Sequence, residues 1–268
     1  MTTSTRHPPL WREILAHTCS LVAPRCCPCG REGSWLCGRC ETLLRAAPVR
    51  VEACCDALQV LAEARVREER RGREVLPVGV DHAPLLPVLA LGEYGGPLQA
   101  MVLAWKNGGM LHLGSRIAPA LAPAVAQLAA ESGVAPPALV PVPSRRAARL
   151  RRGEDHTAEL VRALARTGAG RALLLPARPT TAQDGLGARQ RRARRIRLEG
   201  RRAREEGRRA RPVVIVDDVV TTGATLRGMH EALTAHGMRV LGAVVVAAAR
   251  LPDGDAEVLG DAQGPVAG

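Results

Sequence analysis

Two short stretches constrain the fold more than anything else in the chain. Residues 213–216 read Val-Val-Ile-Val after Pro212, and residues 239–248 are nearly all apolar. A strand turns alternate side chains to opposite faces, so a strand that is apolar at both parities needs cover on both sides. Such strands, alternating with helices, indicate a parallel sheet flanked by helices. Residues 138–140 and 171–175 supply two further short strands. Helical spacing of apolar residues marks 111–130 (Ile117, Leu121, Val125, Leu128) and 155–166 (Leu160, Val161, Leu164, stopped by Gly168). It also marks 224–236 (Leu226, Met229, Leu233), with Gly237 just beyond. The predicted class is α/β.

The first of those strands leads into chemistry. Residues 213–226 run Val-Val-Ile-Val-Asp-Asp-Val-Val-Thr-Thr-Gly-Ala-Thr-Leu. The strand delivers Asp217 and Asp218 to its carboxyl end, the side on which open α/β sheets bind ligands. A Thr/Gly loop then opens directly into a helix, whose free amides and dipole favour an anion. Thr221, Thr222 and Thr225 add hydroxyls, and Gly223 lets the backbone approach closely. Two carboxylates beside a phosphate cradle suit a sugar phosphate, the acids accepting from vicinal ribose hydroxyls and the loop holding the 5′-phosphate. The structural alternative makes the acids a strand-end cap and Thr222 an ordinary helix cap. A nucleotide triphosphatase needs a G-x-x-x-x-G-K-[ST] loop, and the single lysine, Lys106, is not in one.

The eight cysteines (19, 26, 27, 29, 37, 40, 54, 55) all lie in the first 55 residues. No apolar secretory segment precedes them, so the expected compartment is the cytoplasm, where clustered thiols favour metal over disulfides. Cys26–Cys29 and Cys37–Cys40 form two C-x2-C pairs. Two such turns close a tetrahedral structural zinc site. Gly30 and Gly38 stand where tight turns call for positive φ. Cys27 competes with Cys26 for the ligand role, although only Cys26 has the two-residue spacing to Cys29. Cys54 and Cys55 read as non-ligands.

The formal net charge is +12, and nearly all of the 38 basic residues are Arg. Two segments carry the excess. Residues 145–152 hold five Arg and no acid, and residues 188–211 hold twelve Arg and three Glu. From 199 to 211 the pattern fits a solvated helix with Arg/Glu pairs. Phe is absent and aromatics are 1%, so single-stranded nucleic acid would find few stacking platforms. No apolar run is long enough to insert in a membrane. Residues 11–19 and 56–71 show helical patterns, and 74–87 reads as a Pro/Gly-rich linker. The expected division is a Cys-rich zinc module at 1–48, a helical and linker segment at 49–87, the α/β domain at 88–250 and a loose tail at 251–268.

The segment 216–225 resembles the phosphoribosyl-pyrophosphate (PRPP) motif of type I phosphoribosyltransferases. With the cysteine pairs, the chain resembles the ComF/GntX family of phosphoribosyltransferase-like proteins. Tyr94–Leu98 followed by Lys106 resembles the way that family's domain opens. Val140–Ser144 resembles its pyrophosphate-loop strand, and Arg152–His156 a segment that often reads Arg-Gly-Phe-Asn-Gln, with Asp155 and His156 here in place of Asn-Gln. Arg178, Thr181, Gln183, Leu186 and Arg191 resemble its catalytic flexible loop. Thr221 stands where some type I enzymes carry an Asp that can act as a base, so the resemblance implies that this base is missing.

The resemblance implies a type I phosphoribosyltransferase fold with a small amino-terminal zinc module. It also implies PRPP binding with Mg²⁺ and pentosyl transfer to an unidentified acceptor. Asp217, Asp218, Thr221, Thr222, Gly223, Ala224, Thr225, Ser144 and Arg145 would bind PRPP. Arg178, Gln183 and Arg191 would act from the mobile loop. Lys106 and His156 read equally as site residues or as plain surface chemistry. The other function implied is a non-enzymatic accessory role in DNA uptake (natural competence), in which the zinc module or Arg run meets a helicase-like partner or single-stranded DNA.

Overall fold

The computed structural model describes residues 26–72, 74–107, 110, 112–134, 136–143, 155–180 and 195–252. At 61–69, 71, 75–82, 178–180 and 195 only the backbone is described. The helix expected at 11–19 and the tail from 253 onward lie outside these residues.

The centre is a six-stranded sheet of β1 (Val49–Arg50), β4 (Val88–Ala90), β10 (Arg239–Ala248), β9 (Pro212–Val220), β5 (Ala138–Pro141) and β6 (Arg171–Ala172), in that spatial order. Every neighbouring pair is parallel except β1 with β4. The two apolar stretches form the two central strands, as their double-sided burial requires. Val214, Val216, Val244 and Val246 face one half of the core, against α2 (Gly96–Asn107), α3 (Leu113–Glu131) and α4 (His156–Arg166). Val213, Ile215, Ala243 and Val245 face the other half, against α6 (Ala224–Ala235). The expected α/β class, a mostly parallel sheet flanked by helices, is what the chain adopts.

Two expectations for residues 56–87 fail. In place of a helix and a linker there is a single 3₁₀ turn, Asp56–Leu58, followed by a hairpin of β2 (Gln59–Arg71) and β3 (Glu74–Pro84). The apolar residues Val60, Ala62, Ala64 and Val66 recur every second position, a strand period that outweighs the weaker helical match. Gly72, at φ +67°, supplies the left-handed turn. The prolines that suggest a linker sit in a two-stranded ribbon, where a missing N–H costs least.

The amino-terminal cysteines do not form a detached body. Cys27, Cys37, Cys40 and Leu44 belong to the same buried cluster as Leu98, Met101 and Val102 of α2. Val51, Cys55 and Leu58 belong to the α6 side of the core.

Helix α5 (Arg201–Arg208) carries part of the basic run. Arg201 pairs with the half-buried Glu205, whereas Glu206 is buried and accepts from Arg171 Nη2 at 3.2 Å and Arg211 Nε at 3.0 Å. Burial alone would raise the Glu206 carboxyl. The hydrogen bonds from Arg211 and Arg171 outweigh it and hold the group below its ordinary value. A depressed acid stabilises the fold above the unfolded pKa and loses that effect as pH falls through the folded value. Glu206→Gln is therefore expected to lower Tm at pH 7 by several degrees and to flatten the fall of Tm between pH 5 and 3, read by thermal melts across pH.

Candidate functional site

Strand β9 runs past the acids to Val220, so Asp217 and Asp218 directly precede its last two residues. Asp217 is buried and Asp218 half-buried. Each carboxylate accepts from the next amide: Asp217 Oδ1 from Asp218 N at 2.8 Å, and Asp218 Oδ1 from Val219 N at 2.6 Å. These bonds fix the two side chains. The remaining oxygen of Asp218 meets Lys106 Nζ at 2.6 Å. Lys106 lies in the last turn of α2, and the start of that helix is tied to the sheet by Tyr94 N donating to Ala248 O. The helix thus spans from the end of β10 to the acid pair on β9. The sole lysine thus stands against the acid pair, and its ammonium offsets one of two adjacent carboxylates.

Thr221 and Thr222 are exposed and follow directly. Gly223 is the cap of α6 at φ +78°, a left-handed conformation that disfavours any side chain. Thr222 Oγ1 accepts from Ala224 N at 3.4 Å, and Gly223 O accepts from Arg227 N at 2.9 Å. The structure therefore brings Asp217, Asp218, Thr221, Thr222, Gly223, Ala224 and Thr225 together around one helix start. Strand β5 lies beside β9, with Pro141 opposite Val216 and Val142 N bonded to Val216 O. The chain leaves β5 toward Ser144 and Arg145, which lie outside the described residues. So do Gln183 and Arg191. Arg178 is placed by its backbone in β7 (Ala177–Thr180), opposite Arg197 of β8 (Arg195–Leu198).

Asp155 caps α4, its side chain accepting from Ala158 N at 3.3 Å, which explains an acid at that position. His156 is 8% exposed, with its ring 5.8 Å from Trp105 and neither ring nitrogen bonded. It is an interior residue rather than surface chemistry.

The cysteine cluster differs from the spacing rule in one ligand. Cys27, Cys29, Cys37 and Cys40 have all four Sγ atoms within 4.8 Å of one another. Cys27 to Cys40 and Cys27 to Cys29 are 3.5 Å, and Cys29 to Cys37 is 3.6 Å. Four thiolates at tetrahedral zinc distances stand about 3.8 Å apart, so the donor set fits that ion. Cys26 forms a bridge with Glu32, and successive residues there point to opposite sides. Putting Cys27 inside, where its Sγ also accepts from Cys37 N at 3.3 Å, leaves Cys26 outside. Gly30 has the expected positive φ, +89°, but Gly38 simply begins helix α1 (Gly38–Leu44), and Gly33 is the second left-handed residue. The Cys37 thiol is pushed down to about 6, first by the Cys40 amide, while burial pushes Cys40 up.

Residues 178–257 match the family model described as phosphoribosyl transferase domain. This stretch includes β9, the acid pair and α6. The crystal structure of TT1426 from Thermus thermophilus is similar at 19% identity and a TM-score of 0.30, over 51% of this chain and 84% of that one. No curated protein matches the sequence. Among the described residues no helix is long and apolar enough to cross a membrane.

The corrected ligand set is directly testable. Cys27→Ser is expected to lose most of the bound zinc after dialysis, whereas Cys26→Ser keeps it, as read by elemental analysis of the purified protein. Equal zinc in both variants would contradict the assignment. The chain thus carries, at residues 178–257, a stretch that matches the phosphoribosyl transferase domain model, set in a mostly parallel α/β sheet with a four-cysteine cluster at its amino-terminal side.

Proposed function

We propose that this chain binds PRPP with Mg²⁺ at the carboxyl end of β9 and transfers the phosphoribosyl group to an acceptor. The observation that carries the reading is the fixed Asp217–Asp218 pair beside the start of α6, within the stretch matched by the phosphoribosyl transferase model.

In such a transfer the bond from the anomeric carbon to pyrophosphate breaks, and a bond to the acceptor forms at the same carbon. Asp217 and Asp218 orient the ribose by accepting from its hydroxyls. The Thr221–Thr225 loop holds the 5′-phosphate through amides and hydroxyls. Lys106 keeps the acid pair compatible with a bound polyanion by cancelling one of its charges. Ser144 and Arg145 meet the pyrophosphate. Arg178, Gln183 and Arg191 close over it and exclude water, with guanidinium groups facing the departing charge. The oxygen-only donors around the loop suit a hard cation, and Mg²⁺ carried with the pyrophosphate supplies further charge neutralisation when bound.

A second reading rests on α5 and its end, where Arg202, Arg204, Arg208 and Arg209 are all exposed. That basic face would serve an accessory role in DNA uptake by contacting a phosphate backbone. Such binding weakens steeply with salt, and a fluorescence titration of single-stranded DNA between about 50 and 200 mM salt would reveal it.

For the first reading, isothermal titration of Mg-PRPP should give saturable binding to the wild-type protein. The double variant Asp217→Asn, Asp218→Asn should bind at least about tenfold more weakly, the loss of one charged hydrogen bond or more. No heat of binding with wild type would overturn the reading.

A further inference from the structure

Gly223 lies against a segment far away in sequence. A Cβ added there would stand 2.7 Å from Leu58 Cγ and 3.0 Å from Cys55 Cβ. The segment carrying those residues is a compact knuckle of two 3₁₀ turns, Glu52–Cys54 and Asp56–Leu58. Gln59 Nε2 closes it by donating to Glu52 O at 2.7 Å and Cys55 O at 3.3 Å. Cys55 Sγ donates to Val51 O, and Leu85 N donates to Leu58 O. Val51, Cys55 and Leu58 are buried to 1% exposure or less, so the knuckle is anchored in the core.

Two hydrogen bonds lock this knuckle to the anion loop. Ala57 N donates to Thr222 O at 2.9 Å. Arg227 Nη1, from the first turn of α6, donates to Ala57 O at 3.2 Å. The peptide from Thr222 to Gly223 is planar and trans, so its N–H points opposite to its C=O. Holding the Thr222 carbonyl toward Ala57 therefore aims the Gly223 amide away from the knuckle. Leu58 and Cys55 meanwhile fill the space behind Gly223, which leaves the left-handed turn one backbone position.

We infer that the 51–59 knuckle is a positioning element for the anion loop: Leu58, Cys55 and Ala57, with Arg227, set the loop in the conformation that receives a ligand phosphate. The inference rests on the proposed PRPP site. Leu58, Ala57 and Arg227 act through the loop and need not touch the ligand. The knuckle stands outside the stretch matched by the phosphoribosyl transferase model, whereas Arg227, which ties the knuckle to the helix start, lies within it.

Hydrogen exchange on the ligand-free protein, followed by titration with Mg-PRPP, tests this. Leu58→Ala should speed exchange of the peptide covering 221–227 by about tenfold while β10 exchanges as in wild type, and should raise the Kd for Mg-PRPP by a similar factor. Leu58→Met should restore both. Arg227→Met, which leaves the core intact, should reproduce the loosening more weakly. Glu231→Gln, which removes only the charge of the acceptor facing Arg227 Nε, should not. Unchanged loop exchange in both Leu58→Ala and Arg227→Met would overturn the inference. So would a loosened loop that binds Mg-PRPP as tightly as before. Should wild type bind no Mg-PRPP, the proposed function fails by itself. The exchange data would then still decide whether the knuckle sets the loop, with faster exchange supporting it and unchanged exchange overturning it.

Discussion

Strand β9 is buried on both faces yet must end in water. Its neighbours β10 and β5 occupy both hydrogen-bonding edges, and helices cover both sides. Nothing in the strand can shift without disturbing two core layers, so the residues at its end inherit that rigidity. Two carboxylates at such a place repel each other and lose hydration. The fold answers with the amides of Asp218 and Val219 and with the ammonium of Lys106. The acid pair is thus at the end of a central strand held on both edges and both faces, the rigidity that a preorganised anion site requires.

The cysteine cluster plays a different part. Three of its four sulfur-bearing residues are buried, and they share a core with α2. The same helix presents Lys106 at its far end. A small four-cysteine turn, its sulfurs spaced to suit one metal ion, lies within the packing of a chain that has no Phe and 1% aromatics. The module is therefore continuous with the packing that supports the site.

Much of this is legible from residue patterns. Strands apolar at both parities determine the sheet type, and the Asp-Asp-Val-Val-Thr-Thr-Gly run on a strand–helix junction locates the acid pair and the loop. The errors have physical causes. Spacing selects Cys26 as the ligand because C-x2-C ignores which way a residue faces, and a local bridge reverses the choice. Residues 56–71 look helical because Leu58, Leu61, Ala62 and Arg65 recur at helical intervals. Strand pairing with 74–84 is non-local and leaves no trace in such a count. Lys106 and His156 are ambiguous in sequence because their partners, Asp218 and Trp105, come together with them only in three dimensions. The contact of Leu58 with Gly223 leaves no sequence signal at all beyond a glycine already explained by its loop.

That last contact bears on how the chain reaches its native state. Arg227 and Ala57 are 170 residues apart in sequence. During synthesis the knuckle is made early and waits, and the loop it supports emerges only after most of the sheet's strands exist. Closing so long a span is slow relative to local turns and helices. The contact between knuckle and loop is therefore one of the long-range closures of the fold, made between its first and last thirds. A fragment beginning at Val88 would keep every strand from β4 to β10 and both carboxylates, while the back of Gly223 would stand open to solvent.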